Sequence, residues 1–182
     1  MQTHELYLDI ETMGTGHTAP VWEIGAIVLG PDNAFNSFTT LIDWSEYNTT
    51  DFESDVDTML WIKSKTSVEE RWLEATLSGL NPVDALTQFN TFLYKYLPQV
   101  RRDREKLTAY SWGNFDFPIL NHMSKYYGWQ PICHYGSVCD VRAVAKFLGT
   151  DIRPDTSNHV ALSDAAALID TVDKIRGMLS SC

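Results

Sequence analysis

This sequence predicts an α/β fold: a mixed five-stranded sheet with helices on both faces. Three observations carry it. Leu6, Leu8 and Ile10 alternate with other residues, the period of a half-buried strand. Two more apolar, strand-like segments follow before any helical period begins. The rest of the chain then alternates strand with helix, and that order indicates a mixed sheet covered on both sides.

The elements follow in sequence. Residues 3–10 form the first strand, 22–29 the second and 37–42 the third. Gly30-Pro31-Asp32-Asn33 supplies a turn, so the three read as a hairpin meander. Residues 51–57 alternate acids with other residues and read as a solvated loop. Helices are expected over 56–63 and 67–77, the second with Ser67 as N-cap and Glu70 three residues on, a capping-box pattern. Asn81-Pro82 opens a helix over 83–97, where Ala85, Leu86, Phe89, Phe92, Leu93 and Tyr96 repeat at helical spacing. Residues 101–106 form a charged turn. A strand over 108–112, with Trp112 read as core, leads into a helix that runs through Tyr127 and closes at Gly128. Residues 138–149 are a short strand running into a helix, and 160–179 form the last helix.

Composition limits the function classes. A chain of 182 residues with 44% hydrophobic content supports one domain with a sizeable core. The net charge of −10 argues against a broad basic surface for duplex nucleic acid, while leaving room for grip on a short single-stranded end. No signal peptide and no apolar run long enough to span a bilayer are evident. Three cysteines without framework spacing suit a reducing compartment, so a cytoplasmic protein is expected. Cys133, His134 and Cys139 lack the paired Cys-x-x-Cys spacing that would argue for zinc.

The chemistry concentrates in carboxylates. On the first strand Asp9 and Glu11 share the face opposite Leu6, Leu8 and Ile10. Two ionised carboxylates side by side near a core need a compensating cation, and the strand itself carries no Lys or Arg. A divalent metal is the natural candidate. Asp116 lies just past the end of the fourth strand, where α/β folds collect their sites; read alone, it would be an N-cap for the helix beginning near Pro118. His159 and Asp164 are five apart, about 140° around one helix, so His159 must sit on the loop before the last helix if both serve one site. Ala161, Leu162, Ala165 and Ala166 give that helix a small-residue face suited to close packing.

Asp9-x-Glu11, Asp116 and His159-x4-Asp164 place four carboxylates and a histidine in a fixed order. The segments Asp9-Ile10-Glu11-Thr12-Met13-Gly14-Thr15-Gly16 with Ile24-Gly25-Ala26-Ile27, then Asn114-Phe115-Asp116-Phe117-Pro118-Ile119-Leu120, then His159-x-Ala161-Leu162-x-Asp164-Ala165, resemble the three motifs of the DEDDh 3′–5′ exonucleases. These are the DnaQ-like branch of the ribonuclease-H-like fold. The chain is similar in particular to the group of T-even phage exonuclease A and exodeoxyribonuclease VIII, which has a Trp-rich helix like Trp61-Ile62-Lys63 and Glu70-Arg71-Trp72 between the first two motifs. A mycobacterial exoribonuclease belongs to the same wider family. The resemblance implies a bacterial or phage-infected cell as the setting.

The resemblance implies that Asp9, Glu11, Asp116 and Asp164 hold two divalent cations, Mg²⁺ or Mn²⁺, which suit hard oxygen ligands. It makes His159 the general base. The expected reaction releases nucleoside 5′-monophosphates from the 3′ end of single-stranded nucleic acid, with DNA slightly ahead of RNA. Thr12 and Met13 are candidates for contacting the terminal nucleotide through backbone and side chain, and Trp61 and Phe115 for stacking on bases. Two other readings remain open: a catalytically silent module that binds nucleic-acid ends, and an enzyme of the same fold acting on a nucleotide or small phosphodiester.

Overall fold

The computed structural model describes residues 3–32, 34–97, 102–103, 105–155 and 159–180. The chain opens with an antiparallel meander of β1 (His4–Thr12), β2 (Val21–Leu29) and β3 (Phe35–Leu41). Three helices follow: α1 (Val56–Lys63), α2 (Thr66–Ser78) and α3 (Pro82–Tyr96). Then come β4 (Leu107–Ser111), α4 (Asp116–Tyr126), β5 (Val138–Asp140), α5 (Val141–Phe147) and α6 (Ala161–Ser180). The sheet order is β3-β2-β1-β4-β5, with β4 parallel to β1 and β5 parallel to β4. This is the mixed five-stranded sheet that the segment order predicts.

Alternation along β1 sorts its side chains between two cores. Leu6, Leu8 and Ile10 pack with Leu86, Phe89 and Leu93 of α3 and with Phe117 and Leu120 of α4. Tyr7 points the other way and packs with Tyr110, Val141 and Ala145 of α5, and Ala165 and Leu168 of α6. Helices therefore cover both faces. A third cluster, Met13, Trp22, Ile62, Val68, Trp72 and Ala75, ties α1 and α2 to the ends of β1 and β2.

The seating of α6 depends on one glycine. A Cβ on Gly25 of β2 would lie 2.1 Å from the carbonyl carbon of Ala161 and 2.2 Å from the amide nitrogen of Leu162. Only a residue without a side chain lets the first turn of α6 approach the sheet this closely. Farther along α6, Arg176 pairs with Glu5 of β1 and donates to the Tyr110 hydroxyl at 2.8 Å.

Several local expectations are corrected. The capping box at Ser67 does not form: α2 begins at Thr66 behind Lys65, which makes no side-chain cap. Ile62 and Val68 bury in one cluster, and this draws α2 in directly behind α1 with no room for a separate cap. The acids of 51–57 are more than a solvated loop, because Asp55 caps α1 by accepting from the Thr58 amide at 2.6 Å and also accepts from the Thr15 amide at 2.8 Å. In the turn after β2, Asn33 lies outside the described residues. So do Arg101 and Arg104 of the charged turn, in which Lys106 pairs with Asp103 at 3.2 Å. Among the described residues no helix is long and apolar enough to cross a membrane.

Candidate active site

The candidate residues converge at the carboxyl ends of the central strands. The β1–β4 pairing ends at Tyr7 and Tyr110. β1 continues beyond it, which carries Asp9 and Glu11 out over the α6 face of the sheet. β4 ends at Ser111, and α4 starts five residues on at Asp116. One cavity of about 200 Å³ is lined by Asp9, Ile10, Glu11, Trp112, Phe115, Asp116, His159 and Asp164. All four candidate carboxylates and the candidate base thus face one space.

Each arrives for a local reason. Asp116 is not an N-cap: it is the first residue of α4, behind Phe115, which makes no side-chain cap. Its Oδ1 instead accepts from the amide of Ile10 at 3.2 Å, a cross-link from the start of α4 to β1. His159 sits on the loop before α6, as the spacing to Asp164 requires, and adopts a positive φ of 48°. Asp164 lies in the first turn of α6, 4% exposed, and Gly25 sets how close that turn comes to β1 and β2.

The electrostatics are those of crowded, desolvated acids. Burial, reinforced by Asp116, Glu11 and Asp164, holds the Asp9 carboxyl well above the usual carboxylate range. Burial and then Asp164 push Glu11 up to about 8. Burial raises Asp116 to about 7 against the opposing pull of its backbone hydrogen bonds, and raises Asp164, with help from Glu23, to about 6. Burial and the nearby Lys65 lower the pKa of His159, which favours the neutral imidazole.

The donor set fits a divalent cation. Ligand atoms of Glu11, His159 and Asp164 all lie within 4.8 Å of one another. Asp164 Oδ1 is buried and has no hydrogen-bond partner. An orphaned carboxylate oxygen among other acids is costly unless a cation meets it. Asp9 and Asp116 line the same cavity without joining that tight triad. Cys133, His134 and Cys139 form no metal cluster among the described residues.

A groove of about 730 Å³ opens beside the cavity and shares Ile10, Glu11 and Phe115 with it. Thr12, Asp55, Thr58 and Trp61 also line it. Thr12 is mostly buried and donates its hydroxyl to the Gly14 carbonyl at 2.7 Å. Trp61 is exposed and stands edge-on to the His159 ring, with centroids 4.8 Å apart and planes at 83°. Met13 is a correction. Its side chain is fully buried in the α1–α2 cluster and its sulfur accepts from Trp72 Nε1 at 3.0 Å, so no side-chain contact with a bound nucleotide is available to it. The apolar residue after a surface motif turned inward because β2 and α2 close over it.

One pair escapes sequence reasoning. Glu23, fully buried on β2, stands across the ladder from Glu11. Arg71 of α2 holds both of its oxygens, at 2.7 and 2.9 Å. A lone acid in the apolar run 22–29 was the available signal, but nothing local points to a partner 48 residues away.

The chain matches the Rv2179c-like 3′–5′ exoribonuclease domain over residues 4–176. No curated protein matches it in sequence at a significant level. Among solved structures it is similar to a product-bound exonuclease I, with a TM-score of 0.65 and 15% identity over 97% of this chain and 44% of that one. It is also similar to E. coli exonuclease I in the metal-free form of a complex with single-stranded DNA, with a TM-score of 0.61 and 16% identity over 93% and 38%. Cell-death related nuclease 4 matches with a TM-score of 0.53 and 9% identity over 96% and 64%. The chain spans less than half the length of these exonuclease I chains. At such identities the likeness establishes the fold, the α/β ribonuclease-H-like sheet with helices. The sequence match covers that whole fold, from the first residue of β1 to near the end of α6, and on it the chain belongs to the Rv2179c-like 3′–5′ exoribonuclease domain family.

Proposed function

We propose that this chain is a metal-dependent 3′–5′ exonuclease of the DEDDh type, acting on single-stranded nucleic acid as one exonuclease domain. The observation that carries this reading is the cavity shared by Asp9, Glu11, Asp116, Asp164 and His159, with the buried Asp164 Oδ1 lacking a partner. The four carboxylates would hold two divalent cations, Mg²⁺ or Mn²⁺. Bound there, such ions supply Lewis acidity and positive charge against the scissile phosphate. His159, neutral at ordinary pH, accepts the proton of the attacking water at a ring nitrogen. Water oxygen joins the terminal phosphorus, the bond to the 3′ oxygen of the preceding nucleotide breaks, and a nucleoside 5′-monophosphate leaves. Phe115 and Trp61, on the groove wall, would flank the terminal base, and Thr12 lines the groove beside Glu11.

RNA is the first substrate reading, supported by the exoribonuclease family. DNA is the second, supported by the single-stranded DNA in the E. coli exonuclease I complex. A gel time course with 5′-labelled RNA and DNA of one sequence, in Mn²⁺ or Mg²⁺, tests the proposal. The expected result is a ladder shortening from the 3′ end, faster for RNA and absent in EDTA. Intact oligonucleotides in both lanes would overturn the reading.

A further inference from the structure

Beside the catalytic cavity, and sharing no lining residue with the groove that holds Trp61, lies a second cleft of about 450 Å³. Trp112, Arg142, Lys146, Asp151 and Arg153 are among its lining residues. It gathers three of the fourteen basic side chains of a chain whose net charge is −10. Arg142 and Lys146 are four apart on α5 and so share a helix face. Gly149, at φ 64°, turns the chain after α5 and brings Arg153 back to the same concavity. All three are exposed, and none forms an ion pair among the described residues. Asp151 is the one carboxylate in the lining among the described residues.

Position gives this charge a direction. Trp112 follows the last residue of β4 and lines both this cleft and the catalytic cavity. One indole therefore connects a space ringed by acids, suited to cations, with a space ringed by free cations, suited to phosphates. Strands of single-stranded nucleic acid are held by this combination of a basic groove and an aromatic platform. We propose that the cleft of Arg142, Lys146 and Arg153 holds the phosphodiester backbone of the single strand 5′ to the nucleotide being removed, with Trp112 as the surface over which the strand crosses into the catalytic cavity. This rests on the exonuclease reading of the cavity and adds the path that the strand takes to reach it. The grip is local, so an otherwise acidic protein holds a single strand without a broad basic face.

The test compares the wild type with an Arg142→Ala, Lys146→Ala, Arg153→Ala variant, all three being exposed positions. A 5′-fluorescein oligouridylate of about 20 nucleotides, enough to span both spaces, is titrated in EDTA by fluorescence anisotropy over a range of NaCl concentrations. Three lost phosphate contacts reduce the slope of log affinity against log salt by about 2, and weaken binding roughly tenfold at low salt. Equal affinity and equal slope for the two proteins overturn the proposal, as does wild-type protein that does not bind the oligonucleotide. Hydrolysis of bis(p-nitrophenyl) phosphate by the wild type in Mn²⁺ reports on the catalytic cavity separately. Hydrolysis with an unchanged salt slope removes the cleft and leaves the catalytic reading standing. A reduced slope without hydrolysis keeps the cleft as a strand-binding surface and removes the catalytic reading.

Discussion

Glu23 lies directly across the β1–β2 ladder from Glu11, and the two carboxylates keep different company. Glu23 is clasped by Arg71, whereas Glu11 faces Asp164 and His159 across a span that a cation would fill. The protein thus neutralises one acid of this rung internally, while the other faces the candidate site. Arg71→Ala would strand a fully buried charge. The expected loss is roughly 3 kcal/mol, at the low end for a broken buried pair because Arg71 is itself partly exposed. Urea unfolding measures it, and Arg71→Lys should recover only part, since one ammonium cannot replace the two-pronged contact.

Gly25→Ala would drive a methyl group into the backbone of Ala161 and Leu162. Overpacking of this kind costs about 3 kcal/mol, the upper end of the usual range, because backbone atoms must give way. Turnover should fall with stability, since His159 and Asp164 travel with the start of α6. A variant with wild-type kcat and unfolding midpoint would show that α6 can shift without disturbing the site.

Asp116→Asn keeps an oxygen to accept from the Ile10 amide and removes one charge from the cluster. Without metal the variant should melt higher than the wild type, because the neighbouring Asp9 loses a repulsive partner. Turnover should drop about 10²–10³-fold, the scale of several kcal/mol of lost charge stabilisation. Melting curves in EDTA and rates in Mn²⁺ check the two halves independently.

The pH dependence of the metal-free protein has a defined sign. Glu11, Asp116 and Asp164 have pKa values raised to about 8, 7 and 6, above their unfolded values near 4. The folded state therefore binds more protons than the unfolded state between these limits. The stability these groups contribute is complete below about pH 4 and is lost as pH rises toward 8. Melting temperature in EDTA should fall across this window. Mg²⁺ or Mn²⁺ should restore it, most at the alkaline end where the ligands are deprotonated. A flat profile in EDTA would contradict the crowding of these acids.

Trp61 and His159 form a pair whose roles can be separated by a double-mutant cycle. An edge-on aromatic contact is worth about 0.5–1.5 kcal/mol, so Trp61→Ala should lower kcat about two- to tenfold by loosening the imidazole. His159→Ala should lose about 10²–10⁴-fold. The double variant should be no slower than His159→Ala alone. That non-additivity concerns kcat; a rise in KM in both Trp61→Ala and the double variant would report the proposed contact of Trp61 with the terminal base.

The readable parts of this molecule are those written locally. Alternation at Leu6, Leu8 and Ile10 placed Asp9 and Glu11 on one face of a strand, and the five-residue gap between His159 and Asp164 put the histidine on a loop. Glycine and proline punctuation located most of the strands and helices to within two residues. The fates of Met13, Ser67 and Asp55 are not legible locally, because they depend on what packs against them: Trp72 over Met13, α1 behind Ser67, and the Thr15 and Thr58 amides around Asp55.

Chain order carries the residue types of the candidate site and the succession of strands and helices, because both are properties of neighbours in sequence. Which acids meet is decided elsewhere. The Asp116 link to Ile10 spans 106 residues, the Arg71 grip on Glu23 spans 48, and the approach of Ala161 to Gly25 joins the last helix to the second strand. Burial and mutual repulsion then hold their pKa values above the usual carboxylate range, a cost that a bound cation would offset. Only the packed sheet and helices bring these distant groups to one desolvated cavity, with Arg142, Lys146 and Arg153 forming no ion pair among the described residues beside it.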